Sequence, residues 1–198
     1  MEQIKAIYIH IPFCQTICSY CDFCKLFYNK RLVNLYLKKL EKEIIANYKG
    51  EEISTIYIGG GTPTSLSYDE LSFLFSIIKK IKLTNNYEFT IEANVDSLDI
   101  NKIKLLKENG VTRVSIGVET FNSSYQKLIN RKLSYKELEN TIKLLKDNGI
   151  TNINLDLMYG FKNESIEILD KDLEYLLKLE VPHISIYSLI IEDNTILK

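Results

Sequence analysis

Six short stretches of the chain alternate apolar and polar residues with a period of two: 6–11, 54–59, 88–94, 113–119, 152–158 and 183–189. Each is rich in Ile and Val, and the alternation predicts strands. Between them the apolar residues recur at helical spacing. Across 32–48, Val33, Leu37, Leu40, Ile44 and Tyr48 share one face, with Gly50 just beyond. Ser67 and Ser134 each precede a glutamate by three positions, Glu70 and Glu137, the pattern of a capping box that opens a helix. Gly110 and Gly149 stand where glycines close helices.

The chain also repeats itself. "LLKENGVTRVSIGVE" (105–119) and "LLKDNGITNINLDLM" (144–158) match through helix end, glycine, threonine and strand, and 176–189 is a looser third copy. Repeated helix–strand units predict an α/β fold with parallel strands wrapped by helices, an open or closed barrel. No helical pattern follows the sixth strand, so the expectation is a partial (βα)6 barrel cut short there, with residues 1–198 forming one domain.

Each strand presents two different faces. One carries Ile9, Ile11, Ile56, Ile58, Ile91, Val114, Ile116, Leu155 and their neighbours. The other carries Tyr8, His10, Tyr57, Glu92, Asn94, Ser115, Glu119, Asn154, Asp156 and Tyr187. Ordinary eight-stranded barrels fill their interior with branched apolar side chains. Here the inner face is polar, and burying such groups without partners costs about 1–3 kcal/mol each. A solvated or ligand-filled lumen accounts for the pattern, with the polar groups gathered toward the C-terminal strand ends.

Composition narrows the setting. A chain of 198 residues with 45% hydrophobic and 26% charged residues and a net charge of −1 is one ordinary globular domain. No basic stripe marks a nucleic-acid surface. No apolar run has the length of a transmembrane span, and the start lacks a signal-peptide pattern, so a cytoplasmic protein is expected.

In a reducing compartment clustered cysteines point to metal or catalysis rather than disulfides. All four cysteines, Cys14, Cys18, Cys21 and Cys24, fall within eleven positions. Cys14, Cys18 and Cys21 follow the first strand directly. Three thiolates on one compact loop suit a 4Fe–4S cluster, each sulfur taking a different iron. Zinc and inert thiols are the competing readings. The second strand ends in Gly59-Gly60-Gly61-Thr62-Pro63, where glycines permit close approach of backbone to a ligand.

With these residues in view the chain resembles the radical S-adenosylmethionine (SAM) proteins. "YIHIPFC", "CSYCDF", "YIGGGTPTSLS", "TIEAN", "VSIGVETFN", "NINLDLMYG" and "HISIYSL" resemble, in order and spacing, the branch holding oxygen-independent coproporphyrinogen oxidases and HemW-type heme chaperones. The resemblance implies a partial six-stranded barrel. It also implies a cluster on Cys14, Cys18 and Cys21, whose open iron chelates SAM. Gly60, Gly61 and Thr62 then meet the amino group of SAM's methionine. Glu92, Glu119, Arg131 and Asp156 match further SAM contacts, and Tyr8 and Tyr20 match contacts near the cluster.

Within the branch, an oxidase would act on porphyrinogen propionates by way of a 5′-deoxyadenosyl radical. A chaperone would carry heme to an acceptor protein, and a flavodoxin or ferredoxin could supply electrons. Asp22-Phe23, where the oxidases have a fourth cysteine, favours the chaperone, with Cys24 left outside the ligand set. The resembled proteins continue beyond the sixth strand into a portion that closes the site and bears a proposed heme-binding motif. The expectation for this form is therefore cluster and SAM binding with impaired heme handling, the alternative being an inactive fragment. Three departures stand out: Glu119 where the branch commonly has Gln, Val95 in place of a proline, and Phe161-Lys162 in place of a Leu-Pro pair.

Overall fold

The computed structural model describes residues 4–198. All six predicted strands form, as β1 (Ala6–Ile11), β4 (Ile53–Gly60), β5 (Leu83–Ala93), β6 (Arg113–Glu119), β7 (Asn152–Tyr159) and β8 (His183–Ser188). They make one sheet in the order β1-β4-β5-β6-β7-β8, every neighbouring pair parallel. Parallel neighbours require crossovers, and α1 (Lys30–Asn47), α2 (Tyr68–Ile78), α3 (Ile100–Glu108), α5 (Tyr135–Asp147) and α6 (Ile166–Leu177) supply them. The fold is the α/β half-barrel expected from the repeats.

Local chemistry places the helix ends. Ser67 and Ser134 each accept from the backbone of Glu70 and Glu137, and each glutamate reaches back, so both capping boxes are closed. Gly110 and Gly149 adopt φ of +82° and +77° just after α3 and α5, a conformation in which any Cβ would be strained. Helix α1 starts at Lys30, two residues before its apolar stripe, because the Asn29 side chain caps it.

The helix-facing side of the sheet is closed. Ile9, Ile58, Ile91, Ile116 and Leu155 are all buried against α1, α2, α3 and α5 and their neighbours in one core. Each such side chain contributes about 1.5–3 kcal/mol. The closure thins at β8, where Ile186 is 51% exposed.

The structure defines three further features. The cysteine segment opens with a two-residue strand, β2 (Phe13–Cys14), parallel to β3 (Leu26–Phe27). A six-residue helix, α4 (Ser123–Leu128), follows β6. At the end of β6 the register with β7 shifts between Gly117 and Glu119, and Glu119 takes φ of 68°. A left-handed glutamate at a strand end is a local strain of the kind that marks sites.

Candidate functional site: a cysteine loop over a polar lumen

Strand register builds the lumen floor. Glu92 pairs with Ser115, and Ser115 with Asn154, in one row, while Gly117, Asp156 and Ser185 form the next. Asn154 donates to Ser115 Oγ and to Asp156 Oδ1, both at 2.8 Å. Ser115 donates to Asp156 Oδ2 at 3.2 Å, and Ser185 to Asn154 Oδ1 at 3.1 Å. The deep polar positions thus satisfy one another. The open space lies above them, at the C-terminal strand ends.

Cys14, Cys18 and Cys21 reach that space. The loop carrying them is fastened from two sides. On the side of the glycine turn, Gly61 N donates to Ile11 O and Thr62 N to Phe13 O, both at 2.9 Å. Ser65 Oγ donates to Phe13 O at 2.9 Å. On the other side the turn that closes α4 does the holding. Ser19 N donates to Ile129 O, and Asn130 Nδ2 to Ile17 O, both at 3.0 Å. Arg131 Nη1 points at Cys18 Sγ from 3.8 Å. The end of the loop is tied to β1 by His10, whose Nε2 meets Cys24 O at 2.8 Å. A carbonyl only accepts, so Nε2 carries the proton and Nδ1 accepts from the Tyr8 hydroxyl at 3.0 Å.

The glycines are there because nothing larger fits. A Cβ on Gly61 would lie 2.9 Å from Cys14 Sγ and from Phe13 O. At Gly60, with φ of 119°, it would strike the His10 ring at 2.6 Å. The turn and the first cysteine are therefore in van der Waals contact.

The three sulfurs border one cavity of about 150 Å³, which also takes in Tyr20, Gly60, Gly61, Thr62, Glu92, Glu119, Arg131 and Asp156. It shares Tyr20, Cys21, Glu92, Asp156 and Tyr187 with an adjoining space of about 490 Å³. Together they reach the size of ordinary small-ligand sites. Tyr8 is 59% exposed at the edge of the site, hydrogen-bonded to His10 and with its ring beside that of Tyr57, which in turn bonds Glu92. Cys24 is exposed and outside the cavity.

No three His, Cys, Asp or Glu groups among the described residues converge as the ligands of one ion would. A cluster asks less of the chain. Its irons are separate, so its thiolates border a shared space without meeting at a point, which is the arrangement of Cys14, Cys18 and Cys21 here. The donor set and the glycine cradle fit such a group. Burial pushes the Cys14 and Cys18 thiols up, opposed at Cys14 by Thr62 and Lys25 and at Cys18 by Arg131.

The carboxylates are held differently from one another. Glu92 accepts from the Tyr57 hydroxyl at 2.8 Å and from Gly60 N at 3.0 Å, which locks it to the glycine turn. Burial raises its pKa, and these two donors pull it back. Glu119 is buried deeper. It accepts from the Tyr187 hydroxyl, with Tyr20 alongside, and faces Arg131 Nη1 at 3.8 Å. Burial raises the Glu119 carboxyl, while Arg131 and the hydroxyls lower it. In the same pair the guanidinium is held firmly protonated by Glu119 and Cys18 despite its own burial. Arg131 Nη2 donates onward to Gly117 O at 2.6 Å and Asn94 Oδ1 at 3.0 Å.

Tyr187, Asn94 and Lys25 also border the cavity. Tyr187 and Asn94 had a signal, since both fall on the polar face of their strands. Lys25 had none.

The departures noted in the sequence are accommodated. Val95 begins a short 3-10 turn capped by Asn94. Phe161 stacks on Tyr125 with ring centroids 4.5 Å apart, and the Glu164 carboxylate accepts from Gly160 N and Phe161 N.

A family model of the Radical SAM superfamily matches residues 8–176. The chain is 41% identical over 198 residues to the heme chaperone HemW of Bacillus subtilis, covering 98% of this chain and 52% of that protein. It is 28% identical over 192 residues to the oxygen-independent coproporphyrinogen III oxidase of Escherichia coli, covering 94% of this chain and 42% of that one. The solved structure of the Escherichia coli coproporphyrinogen III oxidase HemN, a radical SAM enzyme, superposes with a TM-score of 0.88 at 27% identity. That match covers 96% of this chain and 45% of HemN. The chain spans about half the length of the curated relatives it matches. The chain belongs to the radical SAM superfamily.

Proposed function

We propose that residues 1–198 form a radical SAM core that binds a 4Fe–4S cluster through Cys14, Cys18 and Cys21, binds SAM beside it, and serves a HemW-like heme chaperone. One observation carries the binding half. The three sulfurs border the same cavity as Gly60, Gly61, Thr62 and the carboxylates Glu92 and Asp156, with Gly61 packed against Cys14. When bound, the cluster supplies an electron source and an open iron for the amino and carboxylate groups of SAM.

The chain's own residues have separable tasks in this reading. The Gly60–Thr62 backbone lies where a ligand ammonium needs oxygen acceptors. Glu92 is pre-set by Tyr57 and the Gly60 amide to receive a hydroxyl or ammonium donor, and Asp156 stands at the floor for ribose hydroxyls. Tyr20 and Tyr187 wall the cavity against water. Arg131 keeps Cys18 and Glu119 in register with each other.

One observation favours the chaperone over a porphyrinogen oxidase. Relatives named HemW match at 33–41% identity, against 28% for the oxidases. Heme as cargo, an electron donor such as flavodoxin or ferredoxin, and an acceptor protein follow from the same reading. Among the described residues no helix is long and apolar enough to cross a membrane.

The test is anaerobic reconstitution with iron and sulfide, followed by separate titrations with SAM, hemin and coproporphyrinogen. The reading predicts cluster loading, SAM binding and no conversion of coproporphyrinogen. Turnover of coproporphyrinogen would replace it with the oxidase.

A further inference from the structure

Charge is unevenly spread along this chain. It carries −1 overall, yet residues 26–42 hold Lys30, Arg31, Lys38, Lys39 and Lys42 against one acid, Glu41. Glu41 is already paired with Lys80. The five basic side chains are exposed, and none pairs with an acidic side chain among the described residues. The same stretch exposes Leu26, Phe27, Leu32 and Leu35, Phe27 by 65%. Helical spacing sets Arg31, Leu35, Lys38 and Lys42 opposite the buried Val33, Leu37 and Leu40, so apolar and basic groups share the outward face of α1.

Two of the cations stand where the helix does not favour them. Lys30 and Arg31 open the first turn of α1, which holds no acid, although the helix dipole prefers negative charge there. Local stability argues for acids at both positions. The basic pair therefore answers to something outside the helix.

This face adjoins the cysteine loop. Phe27 pairs in register with Cys14, one strand spacing of about 4.8 Å away. Tyr28 N donates to Cys14 O at 2.8 Å. The lumen side of Cys14 belongs to the ligand cavity. Phe27 lies on the other side, at the end of a short path through backbone from solvent to that residue.

We infer that Leu26, Phe27 and the outward face of α1 form the docking surface for an acidic one-electron carrier protein. This rests on the proposed cluster and gives its electron supply a place on the chain. Apolar side chains among cations suit a weak redox encounter, which buries less than about 1,200 Å². One electron passes: the carrier is oxidised by one, the cluster held by Cys14 is reduced by one, and no bond or proton moves. An anionic membrane would meet the same charges but would make no use of the pairing between Phe27 and Cys14, which favours the carrier.

The probe is a flavodoxin of strongly negative net charge, with two readings taken anaerobically. One is its affinity for the protein, and the other is the rate at which its reduced form bleaches the visible absorbance of the cluster. The double variant Lys30→Glu/Arg31→Glu should lose about tenfold or more in both at low ionic strength, and the parent's affinity should fall as salt rises. Phe27→Ser should lose about threefold or more in affinity. Lys104→Glu, on α3, should stay within about twofold of the parent. Dithionite, which needs no docking surface, should reduce all four proteins alike. The double variant should unfold in denaturant no earlier than the parent, because acids suit the start of α1.

Parental flavodoxin affinity in the double variant overturns the inference. So does an equal loss in Lys104→Glu, and so does slower reduction of the double variant by dithionite. A parent that ignores flavodoxin but binds phosphatidylglycerol vesicles, with that binding lost in the double variant, replaces the carrier with a membrane surface. Failure of the parent to load a cluster strikes the proposed function instead, and the affinity reading still decides the surface.

Discussion

The two faces of this sheet are made from alternate residues of the same strands, yet they solve opposite problems. On the helix side Ile58, Ile116 and Leu155 meet only other apolar groups and are fully buried. On the lumen side their neighbours Glu92, Ser115 and Asp156 bond to one another or to the glycine turn and leave space above. The first face is specified by volume, and any apolar residue of the right size can serve it. The second is specified by partners, and a single wrong group leaves others unsatisfied. Stability is concentrated on one side of the backbone and ligand chemistry on the other, so the two should separate under mutation.

The largest separation is expected at the cysteines. Cys14→Ala, Cys18→Ala and Cys21→Ala should each abolish cluster loading, read as loss of iron, sulfide and visible absorbance. Their far-ultraviolet circular dichroism should stay that of the parent, because the sheet core does not depend on the loop.

Next comes the helix face. Leu155→Ala should cost about 2–5 kcal/mol in denaturant unfolding, the usual range for a buried leucine truncated to a cavity. Any protein that remains folded should retain parental SAM affinity. A loss of binding without a loss of stability there would break the division of labour.

Asp172 shows the same logic outside the lumen. It accepts from Thr120 Oγ1 at 2.6 Å and Phe121 N at 3.1 Å, pinning α6 to the turn after β6. Burial raises this carboxyl. Asp172→Ala should destabilise by about 1–3 kcal/mol, since two buried donors lose their acceptor.

Smaller again is Glu92→Gln. It keeps the shape, with the amide oxygen accepting from Gly60 N and the amide N–H donating to the Tyr57 hydroxyl, but loses the charge. Stability should move by less than about 1 kcal/mol while SAM binding weakens measurably. Cys24→Ala marks the floor: full cluster content and parental stability.

How much of this could be read in advance follows from range. Period-two alternation fixes which residues share a face, so the six strands, the polar lumen and Tyr187 and Asn94 on it were legible from local pattern. The caps at Ser67 and Ser134 were legible because both partners lie within four residues. Helix α4 was legible only as a helical stretch ahead of Arg131, because six residues, Ser123–Leu128, are too short to show a period. Yet the turn closing α4 is what holds the cysteine loop, through Ile129, Asn130 and Arg131. The β2–β3 pair escaped for the same reason. Arg131 illustrates the other limit. It was legible as a cation near the site, but its commitment to Glu119, Asn94 and Gly117 depends on contacts between segments distant in the chain. Tyr8 was expected beside the cluster, and the edge position of β1 leaves it largely exposed.

The most direct measurement is electron paramagnetic resonance of the anaerobically reconstituted, dithionite-reduced protein, recorded with and without SAM. The account predicts a reduced 4Fe–4S signal whose g-values shift on adding SAM, and loss of that signal in Cys18→Ala. A reduced cluster signal that SAM leaves unchanged, or a protein that takes up zinc and no cluster, would contradict it.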